Sequence, residues 1–123
     1  MKTIQRCDET VFEGALVQWA SDDTLTLWVG GELAGVASAP FLISTGGIDS
    51  EGGATTRVAE LTVHGDAVAV LSGTLSRRGG LLYRSEHRLS ATPNGAPIAR
   101  AVPADLGDVA GFIDGDMVRI VLL

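Results

Sequence analysis

The chain has 123 residues and a formal charge of −6, with nine Lys and Arg against fifteen Asp and Glu. A single domain of this length buries roughly two-thirds of its unfolded surface without metal or disulfide staples, and the lone Cys7 has no partner for an internal bridge. The negative balance argues against nucleic acid as a partner, because each phosphate contact needs a cation. No run approaches the ~18 apolar residues of a membrane span.

Sixteen glycines, 5% aromatic residues and abundant Val, Leu, Ala and Thr suit many short strands joined by tight turns. The expected fold is all-β, a small barrel or sandwich with no long helix. The first eight residues lack the apolar core of a secretory leader, so a soluble protein is expected. Residues 1–13, whose only large apolar side chains are Ile4, Val11 and Phe12, read as an N-terminal arm. Such an arm is either ordered by a partner or is a first edge strand. Residues 14–123 then form one β domain.

Within that domain, strands are expected at residues 15–20 and 24–29, joined by a Ser21-Asp22-Asp23 turn, and again at 32–37. Period-two alternation puts Leu25, Leu27 and Val29 on one face and Trp28 on the other. Trp28 is therefore a contact residue or a side chain roofed by a loop. Residues 40–56 read as an inserted, mobile Gly-rich loop with Phe41, Leu42 and Ile43 at its base and an acidic tip. Further strands are expected at 57–63, 67–71, 81–84, 88–91, 98–102 and 117–122. One short helical turn is expected in 103–112.

Two kinds of internal likeness run through the chain. Val63-His64-Gly65-Asp66-Ala67-Val68 returns 50 residues later as Ile113-Asp114-Gly115-Asp116-Met117-Val118, each reading as a Gly-Asp turn that feeds a strand. Gly14, Leu16 and Val17 also match Gly79, Leu81 and Leu82 at a spacing of 65, as Leu33-Ala34 matches Ile98-Ala99, while Leu25 matches Leu89 after a one-residue slip. These give either two duplicated halves, 14–72 and 79–123, or unrelated hairpins built with the same turn chemistry.

Catalytic chemistry has no foothold. His64 and His87 have no ligands at metal-binding spacing around them, and neither a Gly-x-Ser-x-Gly elbow nor a phosphate-cradling loop occurs. No enzyme activity, cofactor or metal is expected. Charge is uneven, however: Arg77, Arg78, Arg84 and Arg88 cluster with only Glu86 opposing them. Eight of the nine cations are Arg, a residue enriched at protein interfaces, though a genome biased towards Arg codons gives the same count.

Four blocks carry a family resemblance. They are Val63-His64-Gly65-Asp66-Ala67-Val68-Ala69-Val70, Arg78-Gly79-Gly80-Leu81-Leu82-Tyr83, Ala96-Pro97-Ile98-Ala99-Arg100-Ala101-Val102 and Asp114-Gly115-Asp116-Met117-Val118-Arg119-Ile120-Val121-Leu122. Together they resemble the small β-rich capsid decoration proteins of tailed phages over roughly residues 33–123, although Ala99 and Arg100 stand where Gly is usual. The resemblance implies a structural protein made in the host cytoplasm that binds the outside of the assembled head. Its partner would be the major capsid protein, commonly as a trimer, and it would stiffen the shell. Deleting residues 1–13 is expected on this reading to abolish head binding and leave a folded domain.

A rival resemblance is to the AbrB-like cradle-loop barrel regulators, carried by Val102-Pro103-Ala104-Asp105-Leu106 and Gly111-Phe112-Ile113-Asp114-Gly115-Asp116-Met117-Val118-Arg119-Ile120. It would imply DNA binding, which the charge opposes. A small-ligand carrier rests only on Trp19, Trp28 and Tyr83. For a partner interface the candidates are Ile4, Val11 and Phe12 in the arm, Trp28, Phe41 and Leu42, and the arginines Arg77, Arg78, Arg84 and Arg88.

Overall fold

The computed structural model describes residues 2–44, 55–105 and 110–123. Among them the chain is all-β, with no helix. Ten strands follow in order: β1 Lys2–Arg6, β2 Leu16–Trp19, β3 Leu25–Leu27, β4 Gly35–Ser44, β5 Thr55–Thr62, β6 Gly65–Val70, β7 Gly80–Ser85, β8 Arg88–Ser90, β9 Ala99–Ala101 and β10 Met117–Leu122. The expected helical turn is not formed by 103–105 or 110–112, and 106–109 lie outside the described residues.

The strands make two antiparallel five-stranded sheets, ordered β1-β5-β4-β2-β3 and β6-β10-β9-β7-β8. Adding five to each label of the first order gives the second, so the two halves share one topology. Each sheet also curls so that its first strand meets its third through one parallel bridge, Cys7 to Leu25 and Leu71 to Leu89. The bonds at these bridges correspond: the Asp8 amide donates to Leu25 O at 2.9 Å, and the Ser72 amide to Leu89 O at 2.7 Å. The Cys7 amide donates to Arg57 O, and the Leu71 amide to Asp116 O.

These equivalences are consistent with duplicated halves and correct both the boundary and the matching. The sheets change over at Val63-His64, so the halves are residues 2–62 and 65–122 rather than 14–72 and 79–123. The two Gly-Asp stretches are not equivalent positions. β6 and β10 are neighbours in one sheet, with Met117 opposite Val70 and Leu122 opposite Gly65, and they look alike because both alternate apolar residues towards the same core. Gly65 and Asp66 begin β6 instead of turning. Asp116 does form a turn, accepting the Ile113 amide at 2.9 Å.

The match that follows the shared topology is the 65-residue one, and Gly14 and Gly79 share a left-handed φ of +83° and +74°. Its slip to 64 falls at the hairpin turn. Four residues separate Arg84 from its partner Leu89 where five separate Trp19 from Leu25. Leu33-Ala34 then matches Pro97-Ile98, not Ile98-Ala99, because the Ala34 and Ile98 amides donate to Val17 O and Leu82 O.

The halves meet through a shared wall. β2 and β4 bury both faces: Val17 and Ala37 point into the first half's core with Cys7, Leu25 and Leu61, while Leu16 and Val36 join the second half's core with Leu71, Leu82, Leu89 and Ile120. Two main-chain bonds stitch this wall to the second half, Leu16 N–H to His87 O at 3.0 Å and Val70 N–H to Gly14 O at 3.1 Å. Gly35, next to Val36, has φ +153°, and a Cβ there would stand 2.1 Å from Thr62 O. Only glycine lets β4 approach β5 this closely.

The arm is not separate. β1 pairs with β5 along its whole length, Lys2 opposite Thr62 through Arg6 opposite Val58, and Cys7 and Val11 are core residues. Removing residues 1–13 therefore takes away one of five strands. The expected outcome is loss of the cooperative fold by circular dichroism, not a trimmed domain.

Thr62 is 1% exposed and its hydroxyl has no hydrogen-bond partner. The register places Val121 at the same position of the second half, opposite Arg100 as Thr62 is opposite Val36. An unmade buried hydrogen bond costs about 1–3 kcal/mol, so Thr62→Val is expected to raise the midpoint of urea unfolding. Trp28→Ala, which empties a core site, should lower stability by about 3–5 kcal/mol in the same measurement.

Candidate functional site

Several interface candidates are used inside the molecule. The strand that begins at Leu25 ends at Leu27, so the alternation expected through Val29 stops early. Val29 is exposed and Trp28 turns into the second half's core, its indole N–H donating to Gly31 O at 2.9 Å. Arg84 lies over that ring at 4.7 Å from its centroid. Gly30 makes room for it: with φ +118°, a Cβ at Gly30 would sit 2.6 Å from an Arg84 guanidinium nitrogen. A cation over an indole contributes about 0.5–2 kcal/mol depending on desolvation. Trp28 and Arg84 thus fasten one half to the other, Trp28 buried and Arg84 half-buried.

The same holds in the arm. Val11 is 1% exposed and belongs to the core. Phe12 meets His87 edge to face at 5.5 Å, again across the two halves. Of the arm candidates only Ile4 is open to solvent, at 54%.

Three consecutive exposed apolar side chains stand on the hairpin leg that precedes residue 45. β4 runs ten residues, but its register with β5 shifts between Ser38 and Phe41. Ala39 takes φ +38° and Pro40 brings no amide, which suits a bulge. One extra residue exchanges the two faces of everything that follows. Phe41 is thereby opposite Val58, which is itself opposite Arg6, so Phe41 shares the outer face of Ile4. Ile43 follows on that face and Leu42 on the other. All three are exposed, at 45% for Phe41, 65% for Leu42 and 38% for Ile43.

This corrects the reading of 40–56 as a loop: residues 40–44 and 55–56 are strand, and 45–54 lie outside the described residues. Ile43 was recognisable as apolar, but its exposure depends on the bulge. Pro40 is the one sequence signal for that.

The arginines do not form one stripe. Arg77 and Arg78 line a cleft with Pro103 and Ala104, where the Ala104 amide donates to Arg77 O at 2.8 Å. Arg84 faces a different cleft with Ser72 and Asn94, and Arg88 is half-buried at the start of β8. Among the described residues one ion pair is formed, Lys2 to Glu60 at 3.8 Å.

A cleft of about 740 Å³ is lined by Thr3, Gln5, Gln18, Trp19, Leu33 and neighbours. Trp28 and Tyr83 are not among them, so the three aromatics of the carrier reading do not converge. No group of three His, Cys, Asp or Glu that could hold a metal occurs among the described residues. Nor is any described helix long and apolar enough to cross a membrane.

Two titratable groups sit where the arm enters the first core. Burial pushes the Cys7 thiol up despite the nearby Arg57 guanidinium, which makes it a poor nucleophile. Burial also acts to raise Asp8, but hydrogen bonds from the Thr10 and Thr26 hydroxyls and the Thr10 and Val11 amides outweigh it and hold the carboxyl below its ordinary value. A depressed carboxyl adds stability that is present above the unfolded value, about 4, and is lost as pH falls through the folded one. Asp8→Asn is expected to lower stability at pH 7 by about 1 kcal/mol. The gap from the parent should close below about pH 4 in urea titrations.

No protein-family model matches the chain, and no curated protein matches it.

Proposed function

We propose that this is a structural decoration protein that binds the outer surface of a tailed-phage head through the major capsid protein and stabilises it, as a homo-oligomer. The trimer is the arrangement implied by the family resemblance. The carrying observation is the β4–β5 hairpin, where the consecutive residues Phe41, Leu42 and Ile43 stay exposed on both faces. A monomer gains nothing from such a surface, whereas burial against a partner returns about 25 cal/mol for each Å² of apolar area removed from water. Ile4 lies on the same outer face as Phe41 and extends the surface to β1.

A head presents its shell protein in many symmetric copies, so contacts that are weak singly become strong when several subunits bind together. The mechanism needs no reaction: each bound copy ties neighbouring shell subunits and resists the outward force of packaged DNA.

The test is co-sedimentation with heads assembled from the cognate major capsid protein, together with the heads' melting temperature. The protein should pellet with heads and raise their melting temperature. Phe41→Ser with Leu42→Ser should weaken binding at least about tenfold while the free protein's own melting temperature stays within about 2 °C, as expected for exposed sites. Heads that neither bind the parent protein nor melt higher in its presence would refute the proposal.

A further inference from the structure

The contact between the halves runs one way. Residues 14–16, just before the part of β2 paired with β3, bond into the seam between the first and third strands of the second half, at Val70 and His87. The register makes Arg6 the counterpart of Val70 and Asp23 the counterpart of His87, while Leu81 is the counterpart of Leu16. If the halves met about a two-fold axis, residues 79–81 would lie in the seam at Arg6 and Asp23. Instead Leu81 is 37% exposed, and Arg6 and Asp23 are exposed too. Each half therefore has one complement unfilled, the first its seam and the second its wall.

Charge on the two unfilled surfaces is opposite. Residues 1–63 carry three Lys and Arg against nine Asp and Glu, and residues 64–123 carry six against six. Asp22 and Asp23 flank the open seam, which also holds Arg6, its guanidinium donating to Asp22 O at 3.4 Å; the two carboxylates leave the seam net negative. Arg78 precedes the open wall, and Arg100 is paired in register with Leu81, where the internal wall has Val36 beside Leu16. None of these four forms an ion pair among the described residues. The polar change from Val36 to Arg100 is matched on the receiving side, where Thr3 and Gln5 hold the positions of Ala67 and Ala69. A contact built this way would be wetter and weaker than the internal one, as reversible interfaces are.

We propose that a second copy of this chain docks there, residues 79–81 of one chain entering the β1–β3 seam of the next, with Arg78 and Arg100 opposite Asp22 and Asp23. The contact is head-to-tail, so it generates a ring if the rotation closes and an open chain if it does not. It rests on the duplicated architecture and not on head binding, which is measured separately.

Sedimentation velocity of the full chain from about 1 to 500 μM tests this. Expected is self-association that rises with concentration and weakens with salt, as screened charges require. Arg100→Asp and Asp22→Arg, both at exposed sites, should each weaken association at least about tenfold, with melting temperatures reporting that both fold. An equimolar mixture of the two variants should recover association, because the altered end of each chain then meets the altered end of the other. A parent protein that stays monomeric throughout, association indifferent to both variants, or a mixture no stronger than either variant alone would overturn the proposal.

Discussion

Everything in this molecule depends on one wall being buried on both sides. β2 and β4 belong to the first sheet by hydrogen bonding, yet their outer side chains Leu16 and Val36 complete the core of the second half. That requirement explains local features that otherwise look unrelated. It is why two apolar residues stand side by side at Leu16 and Val17 and again at Val36 and Ala37, where a half-solvated strand would alternate. It is also why the loop after β3 sends Trp28 into the second core and why Arg84 closes over it. At the matching places in the second half, which face solvent, stand Leu81 and Arg100.

The fold class was legible from glycine content, β-branched residues and turn spacing, because these are local properties of strands and turns. The last strand was legible to the residue, as strict alternation from Met117 to Leu122 leaves no other reading. Pairing was not. The likeness between the stretches beginning at Val63 and Ile113 is that of two neighbours sharing a core, which in sequence looks the same as a duplication. The weaker match at 65 residues is the one that follows the topology shared by the two halves, and only the registers tell the two apart.

The candidate surface was half legible. Phe41 and Leu42 stood out as large apolar residues next to Pro40, in a stretch rich in glycine. What hid their setting is the bulge at Ser38 to Phe41, since one extra residue reverses which side chains face outwards. Trp28, Val11 and Arg84 were misplaced for a different reason. Each is the sort of residue that makes partner contacts, but Trp28 and Arg84 make theirs with the other half of their own chain, and Val11 is buried in the core of its own half. A duplicated protein uses interface chemistry internally, and composition cannot say on which side of the chain's own boundary the contact falls.

The shared wall makes two topologically complete halves into one folding unit. Native-state hydrogen exchange tests it most directly, because local and global openings are read amide by amide. The stitching amides of Leu16 and Val70 should exchange only through the same global opening, with the same denaturant dependence, as core amides of both halves such as those of Ala59 and Val118. Independent opening of either half, with Leu16 and Val70 exchanging well before the cores, would contradict it.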